Sequence, residues 1–147
     1  MLTLWDEATQ RDLLGRIDRV TDSSKALWGR FTADRMLCHL AESMKMANGE
    51  IVCAPKKLPI RFFPLKQLLI FVVPFAKGLP TAPELLASPE TPVDAAKSEL
   101  RAAMQRFIAA GPGAQRNDHP AFGRLTSRAW GVLTARHCDH HLRQFGV

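Results

Sequence analysis

Three of the five histidines lie within five positions near the end of the 147-residue chain, in the stretch RHCDHHLRQFGV. His137 and His141 are four residues apart, so on a helix they lie one turn apart on the same face. Two imidazoles at this spacing can direct nitrogen atoms at one metal ion, as they do in zinc proteases. Those enzymes place a glutamate directly after the first histidine, where this chain has Cys138. The pattern therefore favours a metal site that takes a further ligand from another part of the chain.

A helical wheel of the last predicted helix points these two histidines inward. Rotation by about 100° per residue puts Trp130, Leu133, His137 and His141 in one stripe. The charged residues of the opposite side are expected to face solvent; they are Arg128, Arg136, Asp139 and Arg143. His140 falls at the margin of the inward stripe. An ordinary pair of histidines that binds no metal is the alternative interpretation of this spacing.

His39 is the candidate for the third ligand, at the border between an apolar face and a polar side of its predicted helix. The apolar face comprises Leu37, Leu40, Ala41 and Met44, and the polar side is marked by Asp34, Glu42 and Lys45. Three histidines from two helices leave coordination positions open for water or substrate, which is typical of catalytic metal sites. Glu42, about one turn after His39, is a candidate general base or outer hydrogen-bond acceptor, with a solvated charge as the alternative. His119, before Pro120, is interpreted as a turn or capping residue.

The elements that must position these residues are predicted to be helices. Strand signals are weak, whereas apolar periodicity and capping residues indicate helices over about 6–20, 32–48, 91–110 and 126–145. Thr91 is the expected N-cap of the stretch 91–110, with Pro92 at its first helical position. The proline-rich segment 53–92 is predicted to form a long crossover with an extra short helix between Pro64 and Pro74. We therefore predict an all-α fold, a four-helix bundle in a single domain over 1–147.

Composition narrows the function classes. The net charge is +6, but the basic residues are scattered along the chain rather than concentrated in one stripe or tail, so no nucleic-acid partner is expected. Three cysteines cannot pair completely, which favours a reducing compartment. The N-terminus lacks the pattern of a signal peptide, and the longest apolar run, 68–75, is too short for a membrane span. We expect a cytoplasmic protein.

Two segments of the chain carry a family resemblance. LWGRFTADRMLCHLAESMKMANGE and HPAFGRLTSRAWGVLTARHCDHHLRQFGV resemble the DinB-like superfamily, most closely a domain-of-unknown-function subgroup of it. The two segments cover a little over a third of the chain, while the middle resembles the family only in being apolar and punctuated by prolines. The resemblance implies a four-helix bundle with a divalent metal ion held by His39, His137 and His141. It also implies relatives that are thiol-dependent S-transferases and isomerases using low-molecular-weight thiols.

The leading hypothesis is a metal-dependent enzyme in which the ion activates a thiol or water toward a small-molecule substrate. Imidazole ligands suit zinc or nickel, with iron or manganese as further candidates. The alternative hypothesis is a non-catalytic metal-binding bundle that works through homodimerisation or a protein partner. In that case the apolar stretch 64–76 would be an interface. An open cavity beside the histidines would favour the enzyme, and a closed site would favour the alternative.

Overall fold

The computed structural model of the chain describes residues 1–78, 83–86 and 89–147. Its described residues form five α-helices and two short 3-10 helices, and none of them belongs to a β-strand. The α-helices are α1 (Glu7–Arg19), α2 (Ala33–Ala47), α3 (Leu65–Phe71), α4 (Val93–Ala110) and α5 (Ser127–Gln144). The 3-10 helices are Pro59–Arg61 and Pro83–Leu86. The predicted all-α bundle is confirmed, with α3 as the extra short helix of the crossover.

Polar side chains fix where two of the long helices begin. The Asp6 carboxylate accepts a hydrogen bond from the Thr9 backbone N–H at 2.8 Å, which satisfies one of the free donors in the first turn of α1. Thr126 does the same for α5, because its hydroxyl oxygen accepts from the Ala129 N–H at 3.2 Å. Both helices therefore start where their capping residues predict.

The starts of α2 and α4 differ from the expectation in detail. Thr32 occupies the N-cap position of α2, but its side chain makes no capping hydrogen bond. In α4 the cap is Pro92 rather than Thr91, and the helix begins one residue later than predicted, at Val93. The reason is that Pro92 has an extended ψ of 140°, so its own backbone is not yet helical.

The core is centred on α2, which packs along α4 and also contacts α5 and the second 3-10 helix. The helix α1 covers the other side of the bundle and contacts α4 and α5. The fully buried large side chains of these helices include Leu13, Ile17, Met36, Leu37, Leu40, Met44, Leu100, Met104, Phe107 and Leu142. Because α2 is surrounded on several sides, Glu42 is only 5% exposed, and the expectation of a solvated Glu42 was wrong.

The helix α3 lies across α5, with Ile70 packed among Ala129, Val132 and Leu133. Arg136 of α5 reaches the end of α3 and donates hydrogen bonds to the backbone carbonyls of Ile70 and its neighbours Leu69 and Val73. A cation there stabilises carbonyls that have no partner within their own helix. Arg136 therefore fastens the crossover to the bundle, and its predicted position in solvent was wrong.

Asp139 also faces protein rather than solvent. Its carboxylate accepts a hydrogen bond from Arg16 Nη1 at 2.8 Å, and the Nη2 group of the same arginine donates to the Val147 carbonyl at 2.9 Å. The Arg16 side chain is only 10% exposed, so this charged pair ties α1 to α5 within the bundle. None of the helices in the described part of the chain has the length and apolar composition of a membrane span.

Candidate metal centre

The structure brings together the rings of His39 on α2 and of His137 and His141 on α5. The Nε2 atoms of His39 and His137 are 3.1 Å apart, and one ring nitrogen from each of the three histidines lies within 4.8 Å of the others. Two nitrogens that each bind a zinc ion at about 2.0–2.1 Å lie about 3.3 Å apart at a tetrahedral angle. The spacing of these rings therefore fits a divalent ion, and the three histidines could hold one.

A backbone carbonyl orients the His39 ring. Its Nδ1 lies 3.2 Å from the carbonyl oxygen of Leu85, in the second 3-10 helix, and the carbonyl can only accept a hydrogen bond. The proton of neutral His39 is therefore on Nδ1, which leaves the Nε2 lone pair directed at the other two rings. Phe31 stacks on the opposite side of the ring, with ring centroids 5.3 Å apart. Metal-bound histidines typically have this arrangement, in which one ring nitrogen faces the ion and the other donates a hydrogen bond to the protein.

A side-chain amide orients the His141 ring in the same way. Its Nδ1 donates to Gln144 Oε1 at 2.8 Å, and the Nε2 group of that amide donates to the Trp28 carbonyl at 2.7 Å. Because Gln144 uses its nitrogen on a carbonyl, its oxygen is the atom that faces the imidazole. Two hydrogen bonds in series therefore connect the His141 ring to the loop before α2, through Gln144. With the proton on Nδ1, the Nε2 atom of His141 carries the lone pair.

All three rings favour the neutral form. Burial lowers the pKa of His39, and burial together with the nearby His141 and His39 rings holds the pKa of His137 well below its usual range. Burial, with a smaller contribution from the His39 charge, lowers the pKa of His141 to about 3. Ligation needs a deprotonated ring nitrogen, so at neutral pH no proton competes with a cation for this site.

The three rings line a cavity of about 630 Å³ between α2, α5 and the crossover. Its walls are mainly apolar and include Trp28, Phe31, Ile60, Leu69, Val73, Phe75, Leu85, Phe122, Trp130 and Leu133. Arg30 and Lys56 also line it, whereas none of its lining residues in the described part of the chain is an aspartate or glutamate. The site is therefore open to a molecule of small to moderate size, and the cavity favours apolar groups and negative charge.

Residues 8–146 match the family described as protein of unknown function DUF1569. The chain belongs to this family. No curated protein and no solved structure matched the chain. Because the description of DUF1569 assigns no activity, any function for this member has to be argued from the geometry of its site.

Two further histidines of this DUF1569 chain lie around the cavity without joining the three-ring cluster. His119 accepts hydrogen bonds at Nδ1 from the backbone N–H groups of Ala121 and Phe122, which confirms the predicted turn-capping role. Burial, assisted by the Arg61 charge, lowers its pKa to about 4. His140 packs edge-on against the His141 ring at 5.0 Å between centroids. Both line the cavity wall, so they border the space beside the cluster.

The other polar candidates near His39 lie in different positions. Glu42 is buried and is not among the residues that line the cavity, although its charge acts to raise the pKa of His39. Glu42 is therefore not placed to touch a molecule in the cavity, and its electrostatic effect on His39 is its connection to the site. Ser43 lines the cavity but donates its hydroxyl to the His39 carbonyl at 2.8 Å. The wheel could not predict these details because α2 is covered on several sides.

Several residues of the site carried no signal in the sequence. Leu85 orients His39 through its backbone carbonyl, from a position 46 residues away along the chain. Trp28 and Phe31 come from the loop before α2, where no periodicity indicates that they face inward. The aromatic residues shortly before the N-cap Thr32 could have been noticed as candidates, but their packing on the histidine rings depends on the path of the loop.

Proposed function

We propose that this DUF1569 member is a DinB-like metalloprotein that binds one divalent ion through His39, His137 and His141. We further propose that it is an enzyme acting on a small molecule through a metal-activated thiol or water. The observation that carries the proposal is the convergence of three neutral imidazoles from two helices, with 3.1 Å between two of their Nε2 atoms. Two of the rings are also oriented by hydrogen bonds at their outer nitrogens.

The cavity favours catalysis over a purely structural metal site. Structural zinc sites are closed by four protein ligands, whereas catalytic sites keep a position open beside three. Here three ligands face a space of about 630 Å³, large enough for a small organic substrate. When bound, a divalent ion would lower the pKa of a thiol or water ligand and so supply a nucleophile near neutral pH.

The residues of the chain have distinct roles in this proposal. Leu85 and Gln144 hold the His39 and His141 rings in the orientation that a ligand requires. The apolar walls exclude water from the substrate, while Arg30 and Lys56 attract a negatively charged group. Glu42 acts on the site through His39 rather than on the substrate. Zinc or nickel suits three imidazoles best, with iron or manganese as alternatives.

The cysteines of the chain support an external nucleophile. No cysteine lines the cavity in the described part of the chain. Burial raises the pKa of Cys138 to about 12, and burial also raises the pKa of Cys38 and Cys53. A thiol is nucleophilic only as thiolate, so these groups are poor nucleophiles at neutral pH. In an S-transferase reaction the thiol would therefore be a low-molecular-weight substrate. A hydrolase or isomerase would use water or an internal proton transfer instead.

Metal analysis of purified protein tests the site. Wild type is expected to carry close to one divalent ion per chain, and His39→Ala and His137→Ala are expected to lose it. His140→Ala is the matched control, because it removes the same ring type from the same helix one position before a proposed ligand. Circular dichroism would verify that each variant retains its helices. Equal metal content in wild type and His137→Ala would refute the site.

A panel of low-molecular-weight thiols with electrophilic acceptors, together with ester and amide substrates, tests the catalytic part. Turnover is expected with loaded wild type and His140→Ala, and a loss of at least 100-fold is expected in His39→Ala. Stoichiometric metal without turnover on any substrate would favour the non-catalytic bundle. The two experiments thus separate metal binding from catalysis.

A further inference from the structure

The segment 58–73 exposes an unusual amount of apolar side chain. Of the eleven large hydrophobic residues that are exposed in the described part of the chain, seven lie here: Leu58, Phe62, Phe63, Leu65, Leu68, Val72 and Val73. Phe63 is 81% exposed, Phe62 70% and Val72 67%. Single exposed apolar residues are common on protein surfaces, but a contiguous group of this kind marks a binding surface. We call these seven residues the crossover patch.

The helix α3 is apolar on two sides, one packed against α5 and one exposed in the crossover patch. Its inner side is anchored by Ile70, which is 1% exposed and packs against α5. Leu65, Leu68 and Val72 lie at three- and four-residue spacing, so they form one stripe on the outer side. A surface helix ordinarily presents polar residues to water on that side. The outer stripe therefore requires an apolar environment of its own.

The part of the chain that carries the patch is rich in positive charge. Residues 51–83 contain five basic residues, Lys56, Lys57, Arg61, Lys66 and Lys77, and no aspartate or glutamate. None of the five takes part in a salt bridge within the described residues, although the Lys77 ammonium lies over the Trp28 ring, 4.3 Å from its centroid. Lys66 and Arg61 bond only to backbone carbonyls, which leaves their charges uncompensated. The surface thus combines bulky apolar groups with an unbalanced positive charge.

We propose that the crossover patch docks on an anionic lipid membrane. Aromatic and aliphatic side chains can enter the boundary between headgroups and acyl chains while lysines bind the anionic headgroups. A second copy of the chain fits less well, because a two-fold contact through the patch would bring two sets of uncompensated positive charges together. Five of the seven patch residues are aliphatic, so the patch offers only the rings of Phe62 and Phe63 for nucleic-acid bases to stack on.

Docking would place the cavity close to the lipid. Leu69 belongs to the same segment but is not a patch residue, and it lines the cavity that the three histidines share, as does Val73 at the end of the patch. The segment therefore has one side toward the proposed metal centre and the other toward the membrane. Membrane docking does not depend on the metal, so it stands or falls independently of the proposed function.

Sedimentation of full-length protein with vesicles tests the proposal. Vesicles of phosphatidylcholine with phosphatidylglycerol are expected to bind the protein at low salt, and vesicles of phosphatidylcholine alone are expected to bind it much less. Raising the salt from 0.1 M to 1 M shortens the screening length from about 10 Å to about 3 Å and should weaken binding. The double variant Phe62→Ser/Phe63→Ser should reduce binding about tenfold or more, because the lost apolar burial is large.

Two further variants make the test specific. Lys57→Gln and Lys66→Gln should each weaken binding to the anionic vesicles about fivefold, as expected for a lysine near a charged surface. Leu27→Ser is the matched control, since Leu27 is 70% exposed, like Phe62, but lies outside the patch; it should bind as wild type does. Absence of vesicle binding, or binding unaffected by Phe62→Ser/Phe63→Ser, would overturn the proposal. A dimer in sedimentation velocity that this double variant dissociates would also overturn it and assign the patch to a second copy.

Discussion

The interior between α1, α2 and α4 is filled, whereas the interior between α2, α3 and α5 is hollow. In the filled region Leu13, Leu100 and Phe107 have no exposed surface, and the Trp5 ring stacks on Phe107 at 5.0 Å between centroids. In the hollow region aromatic and aliphatic side chains surround a cavity of about 630 Å³ instead of one another. The difference separates a region whose packing stabilises the bundle from a region with space for a ligand.

The hollow region also holds the groups that are costly to bury. Three imidazoles share the cavity wall, and burial lowers the pKa of each of them. A divalent ion would bind the ring nitrogens that face one another, and a ligand would contact the apolar walls, so either would stabilise the folded protein. Buried charge elsewhere in the bundle has a partner, as Arg16 of α1 has in Asp139 of α5.

The largest difference between the two regions is expected in the free energy of unfolding when an aromatic ring is truncated in each. Phe107→Ala is expected to lower the free energy of unfolding by about 3–5 kcal/mol, since a fully buried ring is replaced by a void. Phe75→Ala, at the half-buried wall of the cavity, is expected to lower it by about 1 kcal/mol. Urea unfolding followed by circular dichroism measures both. Similar losses for the two variants would contradict the division into a filled and a hollow region.

Acid is expected to lower the free energy of unfolding through His119, which lines the cavity of the hollow region. The pKa of His119 is about 4 in the folded protein and about 6.5 in the unfolded chain, so between these values only the unfolded chain binds the proton. The contribution of His119 to stability is present above pH about 6.5 and is lost as the pH falls toward 4. The loss amounts to up to about 3 kcal/mol.

His119→Asn isolates this contribution, because an asparagine oxygen can still accept from the N–H groups of Ala121 and Phe122 but does not titrate. The unfolding free energies of wild type and variant, measured between pH 4 and 7.5, should differ in slope. The variant is expected to lose less stability on acidification. If the plots of unfolding free energy against pH for wild type and variant were parallel, the pKa of His119 would not be lowered in the folded protein.

Tight packing is also expected to make Gly131 of α5 sensitive to substitution, because it lies beside the Trp5 ring that stacks on Phe107. A Cβ atom on Gly131 would lie 2.5 Å from Trp5 Cδ1 and 2.7 Å from Thr3 Oγ1. Gly131→Ala would raise helix propensity, which alone favours α5 by about 1 kcal/mol. We expect a net loss of about 1–2 kcal/mol in the free energy of unfolding, because the Trp5 ring has to move. Thermal denaturation and Trp5 fluorescence measure it; a stabilised variant would show that the contact yields easily.

The smallest effect is expected for the cysteines. Cys38→Ser, Cys53→Ser and Cys138→Ser should each retain most of any activity found in the substrate panel, since the proposed nucleophile comes from outside the chain. Cys138 should resist alkylation in the folded protein at pH 7.5, because its buried thiol has a pKa of about 12. Loss of turnover in Cys138→Ser, with metal content and fold retained, would place the reacting thiol within the protein and contradict the proposed mechanism.

The sequence by itself determined the helices and the residues that could form the site. Capping residues such as Asp6 and Thr126, and the apolar stripes, depend on neighbours within a few positions, so local pattern is sufficient. The spacing of His137 and His141 likewise fixes a shared helical face. The bundle and its candidate ligands follow from such short-range rules.

The tertiary structure alone decided what surrounds those residues. The carbonyl of Leu85 has no sequence signature, yet it orients His39 from 46 residues away. Arg136 and Asp139 were assigned to solvent because a wheel treats a helix as having one covered face, but α3 and α1 cover α5 from other directions. Exposure of Phe62 and Phe63 also depends on which neighbours reach them. Burial is a property of the assembled bundle, and hydropathy along the chain does not encode which apolar residues remain uncovered.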